Sequence, residues 1–270
     1  MFVSLSTGCL YGLPLRAVFG LAAGAGFAGL ELVVAGDASW RGSDYVNSLV
    51  RAYRLPIRTV HQALFHKRWR GVWAGWILDA VDLALRVSAQ HVVIHGPETT
   101  RWESPFAQRW LLTLEMALRR LNGSGIRIAL ENDNWHSAND RHKVLANLPA
   151  LVAFAEKYDL DLTYDTCHAV SAGVDVIEGW SMVAPRTANI HLSDCKPGPA
   201  LIGSPLLRSL FRDHQLPGKG TLPLTGLMQQ LQAQHYTGAL TMEVSPAALH
   251  LYAPSRLRKE LAVLVQFGIS

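Results

Sequence analysis

Residues 126–131 read Ile-Arg-Ile-Ala-Leu-Glu and residues 160–165 read Leu-Asp-Leu-Thr-Tyr-Asp. Each is a short, largely apolar run that closes on a carboxylate, and a longer stretch with helical spacing lies between them. Runs of this length and composition are read as strands. A strand that is apolar nearly throughout is covered on both faces. Strand–helix–strand order makes the two strands parallel, joined by a right-handed crossover. Glu131 and Asp165 therefore leave the sheet at the same edge.

Working outward, the same unit recurs along the chain. Apolar runs fall at 2–6, 30–34, 57–61, 91–95, 126–131, 160–165, 188–192 and 239–244, eight in all. The intervening stretches have helical spacing. Ser104-Pro105 reads as an N-cap and first-turn proline, Trp110, Leu111, Leu114, Leu118 and Leu121 follow on one face, and Asn122-Gly123 closes the helix. Asp79, Asp82 and Arg86 alternate with Ile77, Leu78, Val81 and Leu85 in another. Eight units in 270 residues predict a single (β/α)₈ barrel, one domain over 1–270, with its active site at the C-terminal strand ends. The alternative is an open doubly wound sheet. That fold carries a Gly-rich phosphate loop after its first strand, and Thr7-Gly8-Cys9-Leu10-Tyr11-Gly12 matches it poorly. The longest irregular stretch is 193–222, and loops that long are often functional.

Composition narrows the class. Apolar residues make up 49% of the chain and charged residues 17%, enough for a sizeable core and unlike a disordered chain. Cys9, Cys167 and Cys195 are odd in number and far apart, so neither a disulfide framework nor a CxxC site is expected, and the cytoplasm is the expected compartment. The N-terminus lacks a basic region before its apolar stretch, so no signal peptide is read. The most apolar window, 17–36, contains Glu31 and four interrupting glycines, and it reads as helix, turn and strand rather than a membrane span. A net charge of +4 suits an anionic substrate and leaves nucleic acid open.

The strand ends carry the chemistry. From the third to the eighth, the strands are read as ending at His61, His95, Glu131, Asp165, His191 and Glu243. A single histidine at a strand end is more often a hydrogen-bonded structural residue, and a single aspartate often caps the next helix. Six metal-type ligands at one mouth are not scatter. Three carboxylates and a histidine, Glu131, Asp165, Glu243 and His191, form a hard site suited to Mn²⁺, Mg²⁺ or Co²⁺, and further histidines favour Zn²⁺. A cation there would offset the mutual repulsion of the carboxylates.

The chain resembles the xylose isomerase-like barrel superfamily, the sugar and sugar-phosphate isomerases and epimerases related to endonuclease IV. The resemblance is carried by Gly26-Phe27-Ala28-Gly29-Leu30-Glu31-Leu32, Val60-His61, Val93-Ile94-His95-Gly96-Pro97 and Ala129-Leu130-Glu131-Asn132. It continues through Tyr164-Asp165-Thr166-Cys167-His168, Ile190-His191-Leu192-Ser193-Asp194, Pro217-Gly218-Lys219-Gly220 and Met242-Glu243. It implies one divalent ion held by Glu131, Asp165, His191 and Glu243. It also implies that Glu131 and Glu243 are the acid/base pair of a proton transfer beside a carbonyl, through a metal-stabilised enediolate. His168 matches a residue that binds a substrate hydroxyl.

The endonuclease IV branch implies a second outcome, a zinc-dependent phosphodiesterase acting on abasic DNA. Its three-zinc site would use His61, His95, Glu131, Asp165, His168, His191, His214 and Glu243, and its remaining aspartate falls on Arg212, with Asp213 out of register. A non-catalytic barrel that binds a sugar or a protein is the third reading. Trp40, Trp69, Trp102 and Trp135 follow strand ends and offer stacking faces. Lys67, Arg68, Arg70, Arg101 and Lys196 are candidate phosphate contacts. Glu31 either faces the mouth or is a paired interior carboxylate. Cys167 and Cys195 lack thiolate-site spacing and read as structural. Barrels of this kind often pair into homo-oligomers.

Overall fold

The computed structural model describes residues 1–63, 73–196, 208, 211–251 and 253–269. Eight parallel strands close in chain order into a barrel. They are β1 (Phe2–Ser6), β2 (Gly29–Val33), β3 (Ile57–His61), β4 (His91–His95), β5 (Arg127–Glu131), β6 (Asp161–Asp165), β7 (Thr187–Leu192) and β8 (Ala239–Met242). Closure is made by β8 against β1, in register from Phe2 opposite Ala239 to Leu5 opposite Met242.

Among the described residues the surrounding helices are α1 (Leu15–Ala25), α2 (Gly36–Tyr53), α3 (Trp73–Val87), α4 (Pro105–Leu121) and α5 (Leu148–Tyr158). The short α6 (Thr166–Ser171), α7 (Val176–Val183), α8 (Leu224–Ala233) and α9 (Pro254–Ile269) follow. α4 begins as its sequence dictates: the Ser104 hydroxyl accepts the Ala107 N–H at 3.2 Å, with Pro105 in the first turn. Gly123, at φ 77, lets the chain turn away at its end. α2 is kinked at Gly42, whose φ of 73 only glycine adopts without strain.

Strand residues alternate between two environments. Ile128, Leu130, Leu162, Tyr164, Ile190 and Leu192 join the apolar core packed beneath the helices. The other row is polar: Ser4, Glu31, Thr59, Thr163, Asn189 and Thr241 are buried, so the strands are less uniformly apolar than their sequence suggests. Most strand boundaries lie within one residue of the sequence reading. The exception is the run at 239–244, where β8 stops at Met242. The ladder between β1 and β8 ends at Leu5 opposite Met242, one residue before β1 passes from Ser6 into a 3₁₀ turn at Thr7–Leu10. Glu243 follows the strand rather than closing it. His191 is the last residue but one of β7.

Among the described residues no helix is long and apolar enough to cross a membrane. All three cysteines are free.

Candidate metal centre

His61, His95, Glu131 and Asp165 are the last residues of β3 to β6, and His191 and Glu243 complete the ring at β7 and β8. Parallel strands deliver all six to one mouth. His191 is fully buried and stands at the centre. Its Nδ1 lies 3.2 Å from Glu131 Oε1, 2.9 Å from Glu243 Oε2 and 4.0 Å from Asp165 Oδ2. Ligand atoms of Glu131, Asp165, His191 and Glu243 all lie within 4.8 Å of one another.

Local folding sets each of these side chains. Asp165 is both the end of β6 and the N-cap of α6, and its Oδ1 accepts the His168 N–H at 2.6 Å. Its peptide is clamped by Asn132, which accepts from Asp165 N–H at 2.7 Å and donates to Asp165 C=O at 3.0 Å. The far side of the His191 ring, Nε2, meets Glu31 Oε2 at 2.9 Å. That same oxygen accepts from Thr59 Oγ1 at 2.9 Å and Asn189 Nδ2 at 3.3 Å. Glu31 is therefore an interior carboxylate that orients His191, with Nδ1 turned toward the three other carboxylates. A carboxylate behind a histidine is the usual support of a metal-binding imidazole.

The donor set fits a divalent cation. Asp165 Oδ2 and Glu243 Oε2 are buried without a hydrogen-bond partner, and Oε2 lies close to His191 without the alignment a hydrogen bond needs. Buried, unpaired carboxylate oxygens are costly and call for positive charge. The electrostatics agree. Burial disfavours a charged His191, yet Glu31, Glu243 and Glu131 outweigh it and hold the imidazole well above its ordinary range. Burial, with Glu243 and Glu131 nearby, pushes Asp165 up despite His168 and His214. Burial would raise Glu243, but His191 overrides it and holds the carboxyl low. A bound cation would supply the positive charge that this cluster of carboxylates calls for.

Two further donor groups adjoin the first. One is His61, His95 and Glu131; the other is Asp165, His168 and His214. Glu131 Oε2 meets His61 Nε2 at 3.1 Å and His95 Nε2 at 3.5 Å. Burial drives His95 down to about 4, leaving a neutral imidazole. His168 goes the other way, to about 10, because Asp165 and Glu131 outweigh its burial. His214 Nδ1 pairs with Ser193 Oγ at 3.2 Å, and its ring lies 5.4 Å from that of His168. The position matched to the remaining aspartate carries a guanidinium, not a carboxylate, and Arg212 Nε donates to Asp213 Oδ1 at 2.8 Å.

The loop residues separate. Trp102 stacks on Phe154 at 5.2 Å, and Trp135 donates to Ala146 C=O, so both pack loops. Trp40 is 90% exposed. Arg101 and Lys196 are exposed. Lys67, Arg68, Trp69 and Arg70 lie outside the described residues. Sequence reasoning passed over Asn132 as a clamp, although it directly follows Glu131. It also passed over Cys9, whose contact with β8 had no sequence signal.

The xylose isomerase-like TIM barrel family model matches residues 19–266. The chain belongs to this family. The uncharacterized protein Mb0509 of Mycobacterium bovis is 30% identical, over 91% of this chain and 89% of its own length. Three solved structures share the fold. One is the 3-keto-D-glucoside 4-epimerase YcjR from E. coli, with a TM-score of 0.71 and 16% identity over 98% of this chain and 99% of that one. A second is D-psicose 3-epimerase with D-tagatose from Clostridium cellulolyticum, at 0.70 and 12% over 100% and 98%. The third is the IOLI protein with a binding zinc atom, at 0.70 and 13% over 100% and 95%.

Proposed function

We propose that this family member is a divalent-metal-dependent sugar or sugar-phosphate isomerase or epimerase, and that residues 1–270 act as one barrel domain. Glu131, Asp165, His191 and Glu243 would hold the ion. Glu131 and Glu243 would be the acid/base pair. The observation that carries the reading is the pair of glutamates, buried Glu131 at the end of β5 and half-buried Glu243 just after β8, that reach one imidazole at 3.2 and 2.9 Å from its Nδ1. The epimerase names of structural neighbours support it.

In this reaction one glutamate carboxylate takes the proton from the carbon beside the substrate carbonyl. The C–H electron pair becomes the C=C bond of an enediolate, and the carbonyl pair moves onto oxygen. The other glutamate, protonated beforehand, returns a proton to carbon. Delivery from the opposite face inverts the centre; delivery to the neighbouring carbon isomerises the sugar. A bound cation supplies Lewis-acid polarisation of the carbonyl and charge stabilisation. Glu31 keeps His191 in one orientation and Asn132 keeps β5 and β6 in step, so the carboxylates stay where positioned general base catalysis needs them. His168 lies against Glu131 at 3.2 Å and would meet a substrate hydroxyl.

The two extra donor groups favour a second reading, a multizinc phosphodiesterase acting on abasic DNA. Elemental analysis of gently purified protein tests one against the other. About one divalent ion per chain is expected, followed by turnover of a ketose such as D-tagatose or D-psicose or of its phosphate. Two or three zinc ions per chain, with cleavage of abasic DNA, would replace the isomerase reading.

A further inference from the structure

We infer that Cys9 is a positioning residue for Glu243: its buried thiol bridges the backbone on either side of Glu243, just past the end of the β1–β8 ladder, and so helps fix where the Glu243 carboxylate is delivered. The inference rests on the reading of Glu243 as a metal ligand and acid/base group.

The ladder between β1 and β8 ends at Leu5 opposite Met242. One residue later β1 ends at Ser6 and gives way to the 3₁₀ turn Thr7–Leu10, so the backbone at 243–244 lies past the last β1–β8 ladder pair. The turn brings Cys9 against this stretch of backbone. Its thiol donates to Met242 C=O at 3.2 Å and accepts the Val244 N–H at 3.0 Å. These groups bracket Glu243. On the other side, Glu243 N–H donates to Leu192 C=O of β7 at 3.2 Å. The main chain at Glu243 is thus held between β7 and one sulfur atom.

The turn is itself anchored. Ser6 Oγ accepts the Gly8 N–H at 3.3 Å, and Thr7 Oγ1 accepts the Val33 N–H of β2 at 2.9 Å. Cys9 is 1% exposed, which removes it from solvent chemistry and leaves it a structural hydrogen-bonding role. The second relevant observation is at the other end of the glutamate. Glu243 Oε2 is buried with no geometrically aligned hydrogen-bond partner. Its contact is with the His191 ring at 2.9 Å, and the backbone that the sulfur holds sets the point from which the side chain reaches that ring.

Calorimetric titration of Mn²⁺ onto the metal-free protein tests this, using wild type, Cys9→Ala, Cys9→Ser, Glu243→Gln and the Cys9→Ala/Glu243→Gln double variant. Cys9→Ala is expected to weaken Mn²⁺ binding about tenfold, the usual size of such supporting contacts. Cys9→Ser keeps a donor and an acceptor and is expected to restore most of the affinity. In the Glu243→Gln background Cys9→Ala is expected to add no further loss, because the two residues act as one unit. Unchanged affinity in Cys9→Ala, or an equal loss in both backgrounds, would overturn the inference. Unchanged affinity in Glu243→Gln alone would remove the ligand role of Glu243, and that failure shows in a different variant. If Cys9→Ala does not fold, Cys9→Val, which fills the site without an S–H, takes its place in the cycle.

Discussion

Glu243 and Glu131 meet one imidazole from strands on different sides of the barrel, and this geometry is the basis of the two-glutamate mechanism. Glu243→Gln keeps the side-chain volume and removes the proton acceptor. The variant is expected to fold with a far-UV circular dichroism spectrum and melting temperature close to wild type. Turnover is expected to fall about 10²- to 10⁴-fold, the usual contribution of a positioned acid/base group. The check is a kinetic assay beside thermal unfolding, and an active Glu243→Gln enzyme would remove the mechanism. Individual residues were unevenly legible. His61, His95, Glu131 and Asp165 stand out because a strand end is visible in the chain itself. Glu31 was visible as a motif, but its partner His191 lies 160 positions away, and only barrel closure brings them together. Cys9 and Met242 are 233 apart, and no local pattern announces that contact.

At the scale of elements, Asp165 does two jobs that substitution separates. Its Oδ1 caps α6 through the His168 N–H, while Oδ2 is buried without a hydrogen-bond partner. Asparagine is as good an N-cap as aspartate, whereas alanine loses the cap at a cost of about 1 kcal/mol. With metal removed by chelator, urea unfolding is expected to show Asp165→Ala less stable than Asp165→Asn by about that amount. Both variants are expected to lose metal on purification, since neither offers a carboxylate. Full metal retention by Asp165→Asn would show that the helix cap is the whole role of this residue. The elements themselves were read well where local signals are strong, as at Ser104-Pro105 and Asn122-Gly123 of α4. The extent of β8 was misjudged because it depends on where its ladder with β1 stops, and that is a property of the pair.

The whole barrel has two ends with different duties, and the sequence announces only one. The mouth gathers the ligand-type residues. At the opposite end His91, Arg127 and Asp161 begin β4, β5 and β6, and that end of such barrels serves stability. Asp161 Oδ2 accepts from His91 Nε2 at 3.1 Å and from Arg127 Nε at 2.9 Å. Burial works to raise its carboxyl, but the bonds from His91 and Arg127 outweigh burial and hold it below the ordinary value. A carboxyl depressed in the folded state contributes stability above its unfolded pKa, about 3.9, and that contribution is lost as pH falls through the lower folded value. Asp161→Asn cannot carry this linkage. Its melting temperature is expected to lie below wild type at neutral pH, with the gap narrowing as pH drops below about 4. Asp159 also binds Arg127, but it is largely exposed, so added salt screens its share and leaves most of Asp161's. Turnover at neutral pH is expected to match wild type, because the mouth is untouched. Melting curves recorded from about pH 7 to 2.5 decide the matter: a gap that stays constant throughout would show that the Asp161 cluster does not link acid stability to the barrel.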